Sequence, residues 1–167
     1  MERPLLEDAP AKSRTREWMG ALLLAAYVLL VLAATMWPTP LDQGYAASID
    51  KLLAVLHRNG VPEWFGYHKL EFSANVLMFV PLGFLVTMLL PTWGWWLALL
   101  LCPALSVAIE FTQASILTAR FATVTDVVAN SIGALLGIAV AVALRAIIFH
   151  RDEKLIARAI WQYRAGT

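Results

Sequence analysis

The chain has a single cysteine, Cys102, three histidines and few charged residues, which make up 15% of its 167 residues. One cysteine excludes an intramolecular disulfide, and the sequence offers no ligand set for a Cys/His metal site. Lys and Arg number 13 against 12 acidic residues, so no broadly basic surface is expected to bind nucleic acid. No metal, cofactor or nucleic acid is therefore predicted as a partner.

What the chain has in abundance is apolar sequence, since 60% of its residues are hydrophobic. Four stretches are long enough to cross a bilayer, which takes about 20 apolar residues: roughly 18–37, 72–90, 93–111 and 124–149. The first follows a basic leader, as a signal peptide does, but its length and the MWPTP sequence at its end favour an uncleaved anchor. We predict an all-α membrane protein, a bundle of four transmembrane helices over 18–149 between basic tails at 1–17 and 150–167.

The basic residues predict the orientation. Nine of the thirteen lie near the two ends of the chain: Arg3, Lys12, Arg14, Arg16, Arg145, Arg151, Lys154, Arg158 and Arg164. The positive-inside rule then places both termini in the cytoplasm of a multi-pass protein of the cell membrane. Membrane lipids are expected partners, because basic ends beside a bilayer attract anionic headgroups.

The first external loop contains a short amphipathic pattern. Ile49, Leu52, Leu53 and Leu56 recur at helical spacing with charged residues between them, and Gly60 in the following NGVPEW ends the pattern. The predicted helix lies on the outer membrane surface or covers the bundle as a lid, and the sequence does not decide between the two.

Polar residues interrupt the apolar spans mainly at their external ends. Seven of them are expected to meet in one pocket: Glu71, Asn75, Glu110, Gln113, Arg120, Asp126 and Asn130. The three amides are also typical of hydrogen bonds that hold membrane helices together. The three carboxylates cannot all be neutralised by one arginine, so either one is protonated or a cation or cationic ligand binds there.

Small residues and prolines predict how the helices pack. Gly133 and Gly137 continue the stripe of Asp126 and Asn130, and this spacing lets a neighbouring helix approach closely. Pro81 interrupts the hydrogen bonding of the second span, beside Gly83, and is expected to kink it.

Three motifs in order, NVLMFVPLGF at 75–84, IEFTQ at 109–113 and R-x5-D-x3-N-x2-G-x3-G at 120–137, resemble the VanZ-like family over roughly residues 20–149. The family pattern falls on these positions: Asn75, Phe79, Pro81, Gly83, Glu110, Gln113, Arg120, Asp126, Asn130, Gly133 and Gly137. The resemblance implies a small bacterial membrane protein; the founding member of the family is associated with teicoplanin resistance.

The leading functional hypothesis is a cell-envelope protein whose external pocket binds or handles a lipid-linked or peptide-bearing component, with an effect on glycopeptide susceptibility. Arg120 would grip a phosphate or carboxylate of that ligand. The partner is then a lipid-linked envelope precursor or another envelope membrane protein. Two alternatives stay open: an intramembrane enzyme that uses the carboxylates as general acid and base, for which no known catalytic motif is present, and a structural accessory subunit.

Overall fold

The computed structural model describes residues 14–36, 41–116 and 123–165. These residues form five α-helices and one 3-10 helix, and the described ranges contain no strand. The elements are α1 (Arg14–Thr35), α2 (Leu41–Arg58), α3 (Tyr67–Leu89), the 3-10 helix (Thr92–Leu97), α4 (Ala98–Ile116) and α5 (Val124–Ala165). The predicted all-α class is confirmed.

Four helical segments of the described ranges are long and apolar enough to cross a membrane: Glu17–Thr35, Tyr67–Leu89, Thr92–Ile116 and Val124–Ala165. The predicted bundle of four transmembrane helices is confirmed, but three ends differ, and the first is the start of the second segment at Tyr67 instead of residue 72. The third segment extends beyond residue 111, and α5 continues past residue 149 to Ala165. The apolar pattern stops where the charges begin, whereas the helix continues because Glu, Lys, Leu, Ala and Arg all favour helical backbone in water.

The amphipathic helix α2 ends in a defined stop signal. The Val61 amide donates to the Leu56 carbonyl, and the Gly60 amide donates to the His57 carbonyl, each at 3.1 Å. This pair of bonds is a Schellman motif, which requires a left-handed residue after the helix. Gly60 supplies it with φ of 95°, so glycine ends α2 where the sequence predicted the break.

The end of α2 is tied to the loop that leads into α3. His57 places Nδ1 3.2 Å from Glu63 Oε2 and Nε2 3.1 Å from the Phe65 carbonyl oxygen. The helix itself makes few contacts with the other described helices, and it leaves Leu52 and Val55 exposed. Exposed apolar side chains on an amphipathic helix suit a position at a membrane surface.

Among the described helices, α3 and α5 pack most closely. Gly133 lies against the Val76 carbonyl of α3, and Gly137 lies against the Val80 carbonyl one turn further along. On the facing helix, Gly83 lies against the backbone of α5. A Cβ atom at any of these three positions would overlap backbone atoms of the partner helix, so the two helices approach this closely only because glycine has no side chain.

The buried core lies where α1 and α4 join this pair. Phe79 and Leu82 of α3 pack with Val31 of α1 and with Cys102 of α4 in one cluster. Tyr27 donates its hydroxyl to the Met78 carbonyl at 2.8 Å, which fixes α1 against the middle of α3. Many large apolar side chains remain exposed on the outer faces of the spans, as lipid requires.

Contacts at both ends show that successive spans run in opposite directions. At one end, Gln113 of α4 donates to the carbonyl of Thr35, the last residue of α1, at 2.7 Å. At the other end, Arg145 of α5 donates to the carbonyls of Met88 and Leu90. The first of these ends also holds the start of α3 and of α5, so it gathers the polar residues of three helices. We call it the polar end.

Candidate functional site

Five of the seven residues predicted for the pocket lie together at the polar end: Asn75, Glu110, Gln113, Asp126 and Asn130. We call them the polar layer. Glu110, Gln113 and Asn130 are buried, and Asn75 and Asp126 are half-buried. The helical spacing that suggested the pocket brings them to one level because α3, α4 and α5 alternate in direction.

Asp126 links the first turn of α5 to α3. Thr123 donates its hydroxyl to Asp126 Oδ2 at 2.8 Å, and the Asp126 amide donates to Thr123 Oγ1 at 3.2 Å. These bonds give α5 an N-terminal cap with a carboxylate at the positive end of the helix dipole. The other carboxylate oxygen, Oδ1, accepts a hydrogen bond from Asn75 Nδ2 at 2.8 Å.

Glu110 and Gln113 connect α4 to the neighbouring segments. Glu110, with 8% of its surface exposed, accepts a hydrogen bond at Oε2 from the Thr123 amide at 3.2 Å. That amide precedes α5 and has no partner within the helix, so the carboxylate satisfies a donor of the helix start. Gln113 binds the last carbonyl of α1, as described above. Both side chains therefore complete the ends of adjacent helices.

Asn130 lies one turn deeper in the bundle than Asp126 and is 2% exposed. Its Nδ2 donates to Ser106 Oγ of α4 at 2.9 Å, while its Oδ1 is buried and has no hydrogen-bond partner among the described residues. If the amide is turned over, the Ser106 hydroxyl can donate to the oxygen instead. As placed, the oxygen end of this buried amide lacks a partner among the described residues.

The structure does not assign the two remaining predicted residues to this layer. Glu71 is exposed in the second turn of α3, with Oε2 4.0 Å from His68 Nδ1. Arg120 lies outside the described residues, so its predicted grip on a phosphate or carboxylate stays a prediction. Pro81, predicted for helix packing, is half-buried inside α3, which continues through it.

The structure adds three residues that the sequence prediction did not assign to the site: Ser106, which accepts the hydrogen bond of Asn130, Thr123 and Thr35. Thr123 caps α5. Its role could have been predicted from the sequence, because Thr123 and Asp126 have the spacing of a capping box before an apolar run. Thr35 contributes only its backbone carbonyl, which leaves no signal in the side-chain pattern. No group of three or more His, Cys, Asp or Glu residues within the described ranges is placed to hold a metal ion.

Four apolar helices that enclose a hydrogen-bonded layer of polar side chains define a multi-pass membrane protein. The chain belongs to the VanZ-like family, because the family model described as VanZ/LLP1 matches residues 21–147. That range contains the whole polar layer and the three packed glycines, and it confirms the resemblance noted in the sequence. No curated protein sequence and no solved structure matches the chain.

Proposed function

We propose that the polar layer binds a cell-envelope component that carries hydrogen-bond donors, as a lipid-linked or peptide-bearing precursor does. The observation that supports this is the unpaired end of the buried Asn130 amide. A buried polar group without a partner costs about 1–3 kcal/mol. Native proteins keep such a group where a ligand or an ordered water supplies the missing hydrogen-bond partner.

The chemistry of the layer favours a ligand rich in donors. Glu110 and Asp126 present carboxylate oxygens, which only accept hydrogen bonds when they are ionised. Sugar hydroxyls, peptide N–H groups and ammonium groups are the donors that an envelope precursor offers. The ligand would therefore place its sugar or peptide portion against α4 and α5 while its lipid portion stays among the acyl chains.

The proposal includes an orientation. With the basic tails in the cytoplasm of a cell-membrane protein, as the positive-inside rule predicts, the polar end faces outward, where such precursors are used. The effect on glycopeptide susceptibility suggested by the resemblance stays a prediction.

A second candidate is that the layer only packs helices. The Asn75–Asp126 bond and the cap on α5 favour it, because each polar group there already has a partner within the bundle. Asn130 separates the two candidates, because a packing role leaves its unpaired oxygen to an ordered water, whereas a binding role gives that oxygen a donor of the ligand.

The test compares Asn130→Leu with Ser131→Ala in purified protein, by native mass spectrometry with a polyprenyl-pyrophosphate-linked muropeptide. Leucine keeps the branched shape of asparagine but has no polar atoms. Ser131 is the matched control, because its hydroxyl donates to the Val127 carbonyl of its own helix and takes no part in the layer. We expect Asn130→Leu to retain about fivefold less muropeptide than wild type, which corresponds to one lost hydrogen bond.

Two further measurements distinguish a loss of binding from a loss of folding and from binding of the lipid portion alone. The melting temperature of Asn130→Leu is compared with wild type, and the polyprenyl phosphate alone is the ligand control. Unchanged muropeptide binding by a folded Asn130→Leu protein would exclude the binding role. A lower melting temperature without any specific retention by wild type would favour the packing role instead.

A further inference from the structure

His57 lies in the last turn of α2, and both nitrogens of its ring have partners in the loop that leads into α3. Nδ1 lies 3.2 Å from Glu63 Oε2, and Nε2 lies 3.1 Å from the Phe65 carbonyl oxygen. The His57 side chain is 19% exposed and that of Glu63 is 89% exposed, so the ring is largely enclosed while the carboxylate remains in contact with solvent. One imidazole ring therefore joins the end of α2 to two residues of the loop.

The two partners of this ring are both hydrogen-bond acceptors. A carbonyl oxygen accepts hydrogen bonds and cannot donate them, and the same is true of an ionised carboxylate. A neutral imidazole has a single N–H group, so it donates to one partner and turns a lone pair toward the other. The imidazolium has two N–H groups and donates to Glu63 and to the Phe65 carbonyl at once. Histidine changes between these two forms between about pH 5 and pH 8.

The charged groups around His57 come from α2, the loop and α3. Among the described residues, Glu63 of the loop is the one charged group within ion-pair range of the ring. Arg58, the next residue of α2, is exposed. The charged and titratable groups at the start of α3 have contacts of their own: Lys69 lies over the Trp64 ring, and His68 lies beside Glu71. A proton on His57 is therefore balanced by the Glu63 carboxylate.

Few other contacts hold α2 in its position. The helix makes few contacts with the other described helices, and its apolar side chains Leu52 and Val55 are exposed. An element with few buried contacts changes its position at low cost in free energy. The attachment of α2 to the start of α3 therefore rests mainly on the backbone bonds around Gly60 and on the two contacts of the His57 ring.

We infer that His57 is a proton-dependent latch, which holds α2 to the loop before α3 when the ring is protonated and loosens it when the ring is neutral. At low pH both N–H groups are present and both hydrogen bonds form. As the pH rises, one proton leaves, one of the two bonds is lost, and α2 becomes free to change its angle to α3. The latch lies near the polar end, because α3 starts there, and it does not depend on the proposed ligand of the polar layer.

The experiment measures hydrogen–deuterium exchange of the full-length protein in detergent at about pH 5.5 and about pH 8, with rates corrected for the intrinsic effect of pH on exchange. The hydrogen-bonded amides of Gly60, Val61 and Phe65 report whether the loop is closed on α2. Peptides from the middle of α5 serve as the internal reference. We expect the loop amides of wild type to exchange about threefold faster at the higher pH, the size of effect typical of a partly exposed ion pair.

Three variants assign the effect to the latch. His57→Gln removes the titrating ring, and Glu63→Gln replaces the carboxylate by an amide that can both donate and accept, so both should exchange at the same corrected rate at the two pH values. His68→Gln is the matched control, because His68 is a second histidine of the same region, 97% exposed and outside the latch. It should keep the threefold difference of wild type.

The outcomes separate clearly. The absence of a pH difference in wild type, or an equal difference in wild type and Glu63→Gln, would overturn the latch. Loss of the difference in His68→Gln would assign the proton to His68 and overturn it as well. If His57→Gln exchanges fast at both pH values because the end of α2 unfolds, Glu63→Gln decides, since it keeps the ring and removes only the charge that the proton balances.

Discussion

At the scale of single residues, three glycines set the distance between α3 and α5. The facing helix lies so close that a side chain would overlap its backbone at each of the three positions, Gly83, Gly133 and Gly137. In a membrane, helices associate through close packing rather than through a hydrophobic driving force. The α3–α5 pair therefore depends on these positions more than on the large apolar side chains that face outward.

We predict that Gly133→Ala lowers the stability of the protein in detergent by about 3 kcal/mol, the upper part of the range for overpacked cores. The added methyl would overlap the Val76 carbonyl and force the helices apart. The measurement is the melting temperature, followed by intrinsic fluorescence or by loss of soluble protein on heating.

Gly66→Ala is the matched control for this prediction. Gly66 lies before α3 in extended backbone, and a Cβ atom there would meet nothing within 4 Å. Gly66 is also the N-cap of α3, where alanine costs up to about 1 kcal/mol relative to glycine, so the control should melt within about 4 °C of wild type. A similar loss in both variants would show that the glycine contact is not what holds α3 to α5.

The sequence supported these packing predictions only up to a point. The spacing of Asp126, Asn130 and the glycines predicted one shared face, because four-residue steps follow the helix period. The partner of each side chain was not predictable, since it depends on the register between helices distant in sequence. Arg145 shows this limit: its charge suggested a cytoplasmic end, but nothing in its neighbours indicates the Met88 and Leu90 carbonyls.

At the scale of whole elements, α5 differs most from its prediction. Residues 150–165, which we call the C-terminal arm, continue the membrane helix without a break and are exposed throughout. The basic residues predict the end of the span near residue 149, whereas the helix continues to Ala165. Charge decides where a segment leaves the membrane, whereas backbone propensity decides where the helix ends.

We predict that a variant ending at Phe149 melts within about 2 °C of the full chain, because no side chain of the arm is buried against the bundle. Its helical circular dichroism signal should fall in proportion to the residues removed. A loss of more than about 5 °C would mean that the arm stabilises the folded bundle, for instance through a second copy of the chain.

At the scale of the molecule, the four spans alternate in direction. The start of α1 and the end of α5, which both carry basic residues, therefore lie on the same side of the bundle. With Cys102→Ala as background, Trp64→Cys and Arg158→Cys place single thiols at exposed positions near opposite ends of the bundle. We predict that a membrane-impermeant maleimide labels residue 64 in intact cells and residue 158 only after permeabilisation. The reverse pattern would place the polar layer on the cytoplasmic side and contradict the proposed orientation.

The unbroken course of α5 also has a mechanical consequence. From Asp126 to Arg164 the helix measures about 57 Å at its standard rise, roughly twice the hydrocarbon thickness of a bilayer. A rod of this length acts as a lever, so a tilt of about 5° at the polar layer moves the far end by about 5 Å. Asp126 at the start of this helix and the charged arm at its far end therefore belong to one stiff body, and a displacement of one is transmitted to the other.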